Sequence, residues 1–244
     1  MRTRLNHGQG EMPMFYELRN YDVAPGKQEA LLDRFATFTT LKWKEYGIRL
    51  TGFWTPEIAE PQTNHVTYIL AWESFEERMK KFPAWQADPE RARKWEETEV
   101  EGPLARRVYN LFMEPTDFSQ LDRGVPYGSD PSGRSPYLFE LREYDAMPGK
   151  RTALVNRFGN FTVDCFTRHG FRQVGYWLPV MGGHNHQLIY FLAWESYEER
   201  SRCFDAFRAD PERQRAFAES EKDGVLVEHV NNSILRPAAF SPMK

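Results

Sequence analysis

The sequence predicts an α+β protein that carries two copies of one domain. Residues 16–22 (YELRNYD) return as residues 139–145 (FELREYD), 123 positions later. Residues 71–78 (AWESFEER) return as residues 193–200 (AWESYEER), 122 positions later. A repeat of this length is a duplicated fold, because solenoid repeats span only about 20–50 residues.

Both copies begin with a strand and a helix. In the first copy, residues 15–21 alternate in character and run into a Pro-Gly turn, which is typical of a strand. Four apolar residues then recur at helical spacing: Leu31, Phe35, Phe38 and Leu41. The helix is predicted to end at Gly47, where a left-handed C-cap is natural, and its counterpart ends at Gly170.

A pair of strands follows each of these glycines. The pairs are predicted at residues 48–55 and 65–72, and at residues 171–178 and 187–194. The repeat offset falls from 123 to 122 across the loop that joins each pair. The loop therefore holds the length difference, as loops usually do.

Two helices and a last strand complete each copy. Ser74 with Glu77, and its counterpart in the second copy, predict a capping box in which the glutamate reaches back to the cap. An Asp-Pro pair, at residues 88–89 and 210–211, predicts a second helix start, because proline suits the first helical position. The last strands are predicted at residues 105–113 and 227–235.

The remaining segments define the domain boundaries. Residues 1–13 have no apolar stretch of a secretory signal and are predicted to be a disordered lead-in. We assign residues 14–118 to the first domain and residues 137–244 to the second. Residues 119–136, rich in Gly, Pro, Ser and Asp, are predicted to be the linker.

Composition argues against several classes of protein. The net charge of the 244 residues is −3 and the charges are interspersed, so nucleic-acid binding is not expected. No apolar run reaches the ~18 residues of a membrane span. The two cysteines, Cys165 and Cys203, have no counterpart in the first copy, which favours reduced thiols and a cytoplasmic location.

Four motifs recur in order in both copies: the YELR-x-Y or FELR-x-Y strand, the Pro-Gly-Lys turn, Gly-x-x-x-x-Gly-x-Trp (residues 47–54 and 170–177), and an Asn-His loop before Trp-Glu-Ser. Together they resemble the NIPSNAP family over nearly the whole chain.

The resemblance implies tandem ferredoxin-like units whose two four-stranded antiparallel sheets face each other, with helices outside, as a dimeric α+β barrel. The sheets can pair within one chain or between chains, and a homo-oligomer is expected. The resemblance implies little about chemistry, because the superfamily contains haem enzymes, cofactor-free oxygenases, isomerases and non-enzymes.

Charged residues on the first strand of each copy are the first candidates for chemistry. Alternation puts Glu17 and Arg19 on one face, and likewise Glu140, Arg142 and Tyr144, and we expect this face to point toward the opposite sheet. A carboxylate beside a guanidinium is often architectural, because burying either alone is costly. In the alternative, catalytic interpretation the glutamate is a general base and the arginine holds an anionic or enolate oxygen.

Aromatic and amide side chains are candidates for binding a ligand. Tyr190 and Trp194 share one strand face, and Trp177 ends the preceding strand. Aromatics at strand spacing are usually core residues, but they can also line an apolar pocket with the tyrosine hydroxyl as a polar group. Asn232, on the last strand, either bridges backbone groups or orients a ligand carbonyl.

Histidines are concentrated in the second copy. His169, His186 and His229 lie there together with His184, whereas the first copy has His65. His184 and His186 lack a carboxylate or cysteine partner at fixed spacing, so neither a metal nor a cofactor is expected. Since duplicated proteins often keep activity in one half, His169 and His229 join the catalytic candidates and His186 the ligand-binding ones.

These features predict a metal-free enzyme for a small carbonyl-bearing or aromatic metabolite, acting by proton abstraction, isomerisation or cofactor-free oxygenation. The alternative is a non-catalytic binding or scaffold protein. A cavity with a perturbed carboxylate or histidine would favour the enzyme, and an exposed apolar patch the scaffold.

Overall fold

The computed structural model describes residues 15–59, 64–121 and 137–244. The predicted lead-in (residues 1–13) and most of the predicted linker (residues 119–136) lie outside these ranges. We refer to residues 15–121 as the first half and to residues 137–244 as the second half.

The first half has the element order predicted from the sequence. Its strands are β1 (Phe15–Val23), β2 (Arg49–Ile58), β3 (His65–Trp72) and β4 (Ala105–Pro115). Its helices are α1 (Gln28–Arg34), α2 (Thr40–Glu45), α3 (Phe75–Gln86) and α4 (Pro89–Thr98). A π-helical turn, Phe35–Thr39, joins α1 to α2.

The second half repeats this order. Its strands are β5 (Leu138–Ala146), β6 (Arg172–Met181), β7 (Gln187–Trp194) and β8 (Val227–Pro237). Its helices are α5 (Arg151–Arg157), α6 (Val163–Arg168), α7 (Tyr197–Ala209) and α8 (Pro211–Ser220), with a π-helical turn, Phe158–Thr162, between α5 and α6. No pattern in the sequence indicated either π turn, a feature that occurs frequently at functional sites.

The eight strands form one closed antiparallel barrel within a single chain. The order around the barrel is β1-β3-β2-β8-β5-β7-β6-β4. The expectation of two separate facing sheets is wrong, because β2 pairs with β8 and β4 pairs with β6. These short pairings satisfy backbone groups that an open sheet would leave at its edges.

Apolar residues from both halves fill the barrel. This core includes Tyr16, Leu18, Trp54, Phe139, Leu141, Trp177 and Phe191. A Cβ atom on Gly52 would lie 2.3 Å from the Trp54 ring, and one on Gly175 would lie 2.6 Å from the Trp177 ring. The Gly-x-Trp motif is therefore a packing motif, in which glycine leaves room for the tryptophan two residues later.

Helix ends follow the predicted signals with one difference. Gly47 and Gly170 have φ of 64° and 78°, as the C-cap prediction requires. Ser74 accepts a hydrogen bond from the Glu77 N–H at 3.1 Å. The Glu77 carboxylate, however, accepts from the Glu73 N–H and not from the cap residue itself, so the predicted box is shifted by one residue.

Two further sequence predictions can be compared with the structure. Cys165 and Cys203 are both buried free thiols. Within the ranges that the structure describes, no helix is long and apolar enough to cross a membrane.

Candidate functional site

A fully buried carboxylate, Glu140, lies at the centre of the second half. Its Oε1 accepts hydrogen bonds from Arg142 Nη1 (2.6 Å) and Arg200 Nη2 (2.7 Å). Its Oε2 accepts from Arg200 Nε (2.8 Å) and Trp194 Nε1 (2.9 Å). Both oxygens therefore have two donors, and the carboxylate has no free position for a substrate proton.

The first half repeats this arrangement around Glu17. Arg19 forms a salt bridge to Oε1, and Arg78 Nε and Nη2 each donate to the carboxylate at 3.1 Å. The difference lies in the tryptophan: the buried Trp72 Nε1 has no hydrogen-bond partner among the described residues, whereas its counterpart Trp194 donates to Glu140.

The glutamates face the helices, not the opposite sheet, so the predicted direction was wrong. Arg78 and Arg200 belong to α3 and α7, while Tyr16 and Leu18 pack in the barrel core. Alternation along a strand defines two faces but does not say which one the helices cover. The Glu-Glu-Arg sequence at the start of α3 and α7 was the available signal, because its arginine is the helix partner of the buried glutamate.

Charge and burial fix the ionisation of this network. Burial of Glu140 acts to raise its pKa, but the hydrogen bond from Arg200 and the charge of Arg142 outweigh burial, so the pKa is lowered. Burial acts to lower the pKa of Arg142, yet the neighbouring Tyr190, Tyr144 and Glu140 raise it. An ionised, fully hydrogen-bonded carboxylate is a poor general base, so the geometry favours the architectural interpretation.

Tyrosine hydroxyls extend the network. Arg142 donates from Nε to the Tyr190 hydroxyl (2.9 Å) and from Nη2 to the Tyr144 hydroxyl (3.0 Å). Burial raises the pKa of Tyr190 well above its usual value, so this phenol stays protonated. The structure thus brings five predicted residues together on the helix side of β5 and β7: Glu140, Arg142, Tyr144, Tyr190 and Trp194.

Other predicted site residues lie elsewhere. Trp177 packs in the barrel core, on the opposite side of the sheet from this network. Asn232 is the cross-strand partner of Arg142 but is exposed. His229 is exposed, and its Nε2 lies 2.8 Å from the amide oxygen of Asn231.

The remaining two histidines are also separate from the network. His186 lies in the β6–β7 loop, and its ring centroid is 5.7 Å from that of His184. His169 lies at the end of α6, with Nε2 2.8 Å from Asp210 Oδ2. The predicted site residues therefore do not form a single site, because the histidines, Trp177 and Asn232 lie apart from the Glu140 network.

A second group of charges, which was not predicted from the sequence, lies between α5 and α8. The guanidinium carbons of Arg157 and Arg213 lie 4.0 and 3.9 Å from the centre of the Phe217 ring. Arg157 is only 7% exposed and pairs with Glu221 at 2.8 Å. Both arginines have an Nε–H without a partner among the described residues. Their sequence signal is the repeat itself, since both positions are also arginine in the first half.

This arginine pair carries excess positive charge. Burial lowers the pKa of Arg213, and the like charge of Arg157 lowers it further. In the described part of the chain no carboxylate lies within salt-bridge distance of Arg213. A group of this kind favours the approach of an anion.

A cavity of about 420 Å³, open to solvent, borders Arg157. Its lining combines apolar and hydrogen-bonding side chains from α5, the π turn and α8: Ala153, Asn156, Arg157, Asn160, Phe161, Ala216, Glu219 and Ser220. A second cavity of about 450 Å³ shares Asn156 and Asn160 and extends to Phe118 and Leu178. A small molecule therefore has room beside the π turn, where the lining includes one guanidinium, two amides and the Glu219 carboxylate.

The first half has the same arginines but a different lining. Arg34 and Arg91 lie 3.9 and 4.2 Å from the centre of the Trp95 ring, and Arg34 pairs with Glu99 at 2.8 Å. By the repeat offsets, however, Asp33 stands where the second half has Asn156, and the long side chain of Lys94 replaces Ala216. These differences put a negative charge and added volume at the positions that line the second-half cavity.

Glu143 is the one perturbed acid on the barrel side of β5. It lies on the strand face opposite Glu140, and burial followed by repulsion from Asp145 raises its pKa. Its counterpart in the first half is Asn20, which accepts a hydrogen bond from Thr67 at 2.7 Å. Glu143 was not a predicted site residue, because it lies directly after the Glu-x-Arg pattern of Glu140 and Arg142 and on the other strand face.

The fold and this distribution of side chains define an α+β barrel with two unequal halves. Solved structures with the same fold include a candidate monooxygenase from Lactobacillus acidophilus, 11% identical with a TM-score of 0.55 over 92% of this chain and 94% of that chain. An anthrone oxidase-like protein is 13% identical with a TM-score of 0.57, over 93% and 92% of the two chains. At these identities the likeness concerns the fold alone.

The NIPSNAP family profile matches residues 16–120 and 139–242, so the chain belongs to the NIPSNAP family. Among its relatives, Protein NipSnap homolog 3B of Mus musculus is 26% identical over 232 residues, which cover 94% of this chain and 86% of the relative. Protein NipSnap homolog 3A of Homo sapiens is 25% identical over 233 residues, 95% and 86% of the two chains.

Proposed function

We propose that this NIPSNAP protein binds a small, negatively charged, partly apolar molecule in the helix layer of its second half. The observation that carries the proposal is the cavity beside Arg157, whose buried guanidinium has one N–H without a partner within residues 15–59, 64–121 and 137–244. The proposal treats each half as a ferredoxin-like unit, which the strand orders β4-β1-β3-β2 and β8-β5-β7-β6 support.

The lining explains which ligand the cavity favours. A carboxylate or similar anion would receive a charge-assisted hydrogen bond from Arg157, and the amides of Asn156 and Asn160 would serve a carbonyl or hydroxyl group. Phe161 and Ala153 supply the apolar contacts. Pockets that combine apolar walls with a few converging polar groups are typical of small-molecule sites, which favours binding over a purely scaffolding role.

A second candidate function is proton transfer without a metal, and Glu143 is the observation that favours it. Burial, with repulsion from Asp145, raises the pKa of this carboxyl group, which is the direction of shift seen in catalytic carboxyl groups. Glu140 is a weaker candidate, because Arg142 and Arg200 occupy both of its oxygens. An activity of this kind would respond to Glu143→Gln, whereas Glu143 is not among the residues that line the Arg157 cavity.

Benzoate and benzamide test the binding proposal directly, because they differ in charge and hardly in shape. We expect the full-length protein to bind benzoate at least about tenfold more tightly than benzamide, since a hydrogen bond to a charged group contributes ~1.5–3 kcal/mol. Calorimetric titration at low ionic strength measures both. Equal affinity for the two compounds, or no binding of benzoate, would contradict the proposal.

Two substitutions locate the binding. Ala216→Leu should fill the cavity and abolish benzoate binding, while Lys94→Leu at the equivalent position of the first half is the matched control and should leave it unchanged. Asn156→Asp should weaken benzoate through charge repulsion and affect benzamide much less. Unaltered benzoate binding in Ala216→Leu would place the ligand elsewhere.

A further inference from the structure

A cluster of cysteine, histidine and aspartate ties α6 to α8 in the second half. Cys165 Sγ lies 3.6 Å and His169 Nε2 lies 2.8 Å from Asp210 Oδ2, and the three groups all lie within 4.8 Å of one another. Asp210 uses its other oxygen, Oδ1, to cap α8 through the N–H groups of Glu212 (2.7 Å) and Arg213 (3.3 Å). The Oδ2 atom faces the thiol, the imidazole and the Arg168 guanidinium, so a cation that displaces Arg168 can bind it while the cap stays in place.

The first half shows where a cation sits at this position. Lys42, the counterpart of Cys165, places its ammonium group 3.5 Å from Asp88 Oδ2 and 2.7 Å from Glu90 Oε2. Tyr46, the counterpart of His169, donates to Asp88 at 3.1 Å. The ammonium group also pairs with Glu45 of α2 at 2.9 Å, so it joins three carboxylates, two of which lie at the start of α4.

In the second half both carboxylates are kept, as Asp210 and Glu212, but the ammonium group is replaced by a thiol. The phenol is replaced by an imidazole at the same time. Thiolate, imidazole and carboxylate are the ligands that Zn²⁺ prefers, and four of them make a tetrahedral site. We propose that a zinc ion takes the place of the Lys42 ammonium group, bound by Cys165, His169, Asp210 and Glu212.

Arg168 is the charged neighbour that zinc must displace. Its Nη2 lies 3.6 Å from Asp210 Oδ2 and 3.0 Å from Glu212 Oε2, and half of its side chain is exposed. Zinc binding turns this side chain toward solvent, frees Glu212 for the metal and releases the thiol proton of Cys165. The site is a structural one, since all four positions of the metal are filled by the protein.

Cobalt and zinc titrations of the metal-free full-length protein test the site. We expect one zinc per chain by elemental analysis after dialysis, and a thiolate-to-cobalt charge-transfer band when Co²⁺ is added. Cys165→Ser should lose the band and bind zinc more than about 100-fold more weakly, beyond the loss typical of a second-shell partner. Cys203→Ser, which changes the other buried cysteine, should keep both the cobalt band and the zinc affinity of the wild type.

Two further variants separate a metal site from a simple ion pair. The double variant Cys165→Lys/His169→Tyr carries the first-half residues and should fold without binding zinc, whereas Arg168→Ala should bind zinc at least as tightly as the wild type. The proposal is overturned if the wild type binds no stoichiometric zinc, or if Cys165→Ser binds it as tightly and keeps the cobalt band.

Discussion

The two halves share one charged network but differ in what surrounds it. Glu17 and Glu140 are both fully buried, and each is held by an arginine of its own strand and an arginine of α3 or α7. Such a network is costly to bury unless every charge is paired. Its presence in both halves indicates that the fold requires it, so the residues that differ between the halves are the better guide to function.

The differences lie in the helix layer and on the barrel side of β5. In the second half Asn156 replaces Asp33, Ala216 replaces Lys94, and Glu143 replaces Asn20. The first two changes line a cavity that borders a buried arginine, and the third leaves a carboxyl group with a raised pKa. Function in this duplicated protein is therefore expected in the second half.

Removing either buried carboxylate should have the largest effect on stability. Glu17→Gln and Glu140→Gln each leave one buried and one partly buried arginine without their charge partner, so the free energy of unfolding should fall by ~3–5 kcal/mol in both variants. Urea unfolding followed by circular dichroism measures this loss, with the exposed Glu29→Gln as a control that should change it by less than about 0.5 kcal/mol. A small loss for Glu140→Gln together with lost benzoate binding would return this residue to a functional role.

The tryptophans beside the two carboxylates should respond unequally. Trp194→Phe removes a hydrogen bond to a charged acceptor, whereas Trp72→Phe removes an N–H that has no partner among the described residues. The first variant should therefore lose ~1.5–3 kcal/mol more stability than the second, because both lose similar ring area. Chemical denaturation of the two variants measures this difference in the free energy of unfolding. Equal losses would show that the hydrogen bond from Trp194 to Glu140 makes no net contribution to stability.

Glu143→Gln should stabilise the protein at neutral pH. The folded-state pKa is raised, so the ionised carboxylate destabilises the fold once the pH rises above the unfolded value near 4.5. Above pH about 4.5 the variant should become increasingly more stable than the wild type as the pH rises, and at pH about 3 the two should be equally stable. Thermal melts of both proteins between pH about 3 and pH 7 test the direction of this difference. A wild type that is more stable than the variant at pH 7 would show that Glu143 is paired.

Local patterns predicted the elements well, and long-range contacts account for what they missed. The bounds of β3 and β7 match the predicted strands, since an apolar run between turn residues is a local signal. Barrel closure depends on short pairings between halves, which no local pattern encodes. The face of Glu140 and the Arg157–Arg213 pair were missed for the same reason, because their partners lie on distant helices.

A chemical-shift map of benzoate binding tests most directly the claim that the two halves share a framework but not a site. Amide resonances of the ¹⁵N-labelled full-length protein are followed as benzoate is added, with benzamide as the neutral control. We predict saturable shifts at Asn156, Gly159, Asn160 and Ser220, and none at their first-half counterparts Asp33, Ala36, Thr37 and Thr98. Shifts of equal size in both halves, or shifts confined to the first half, would contradict the account.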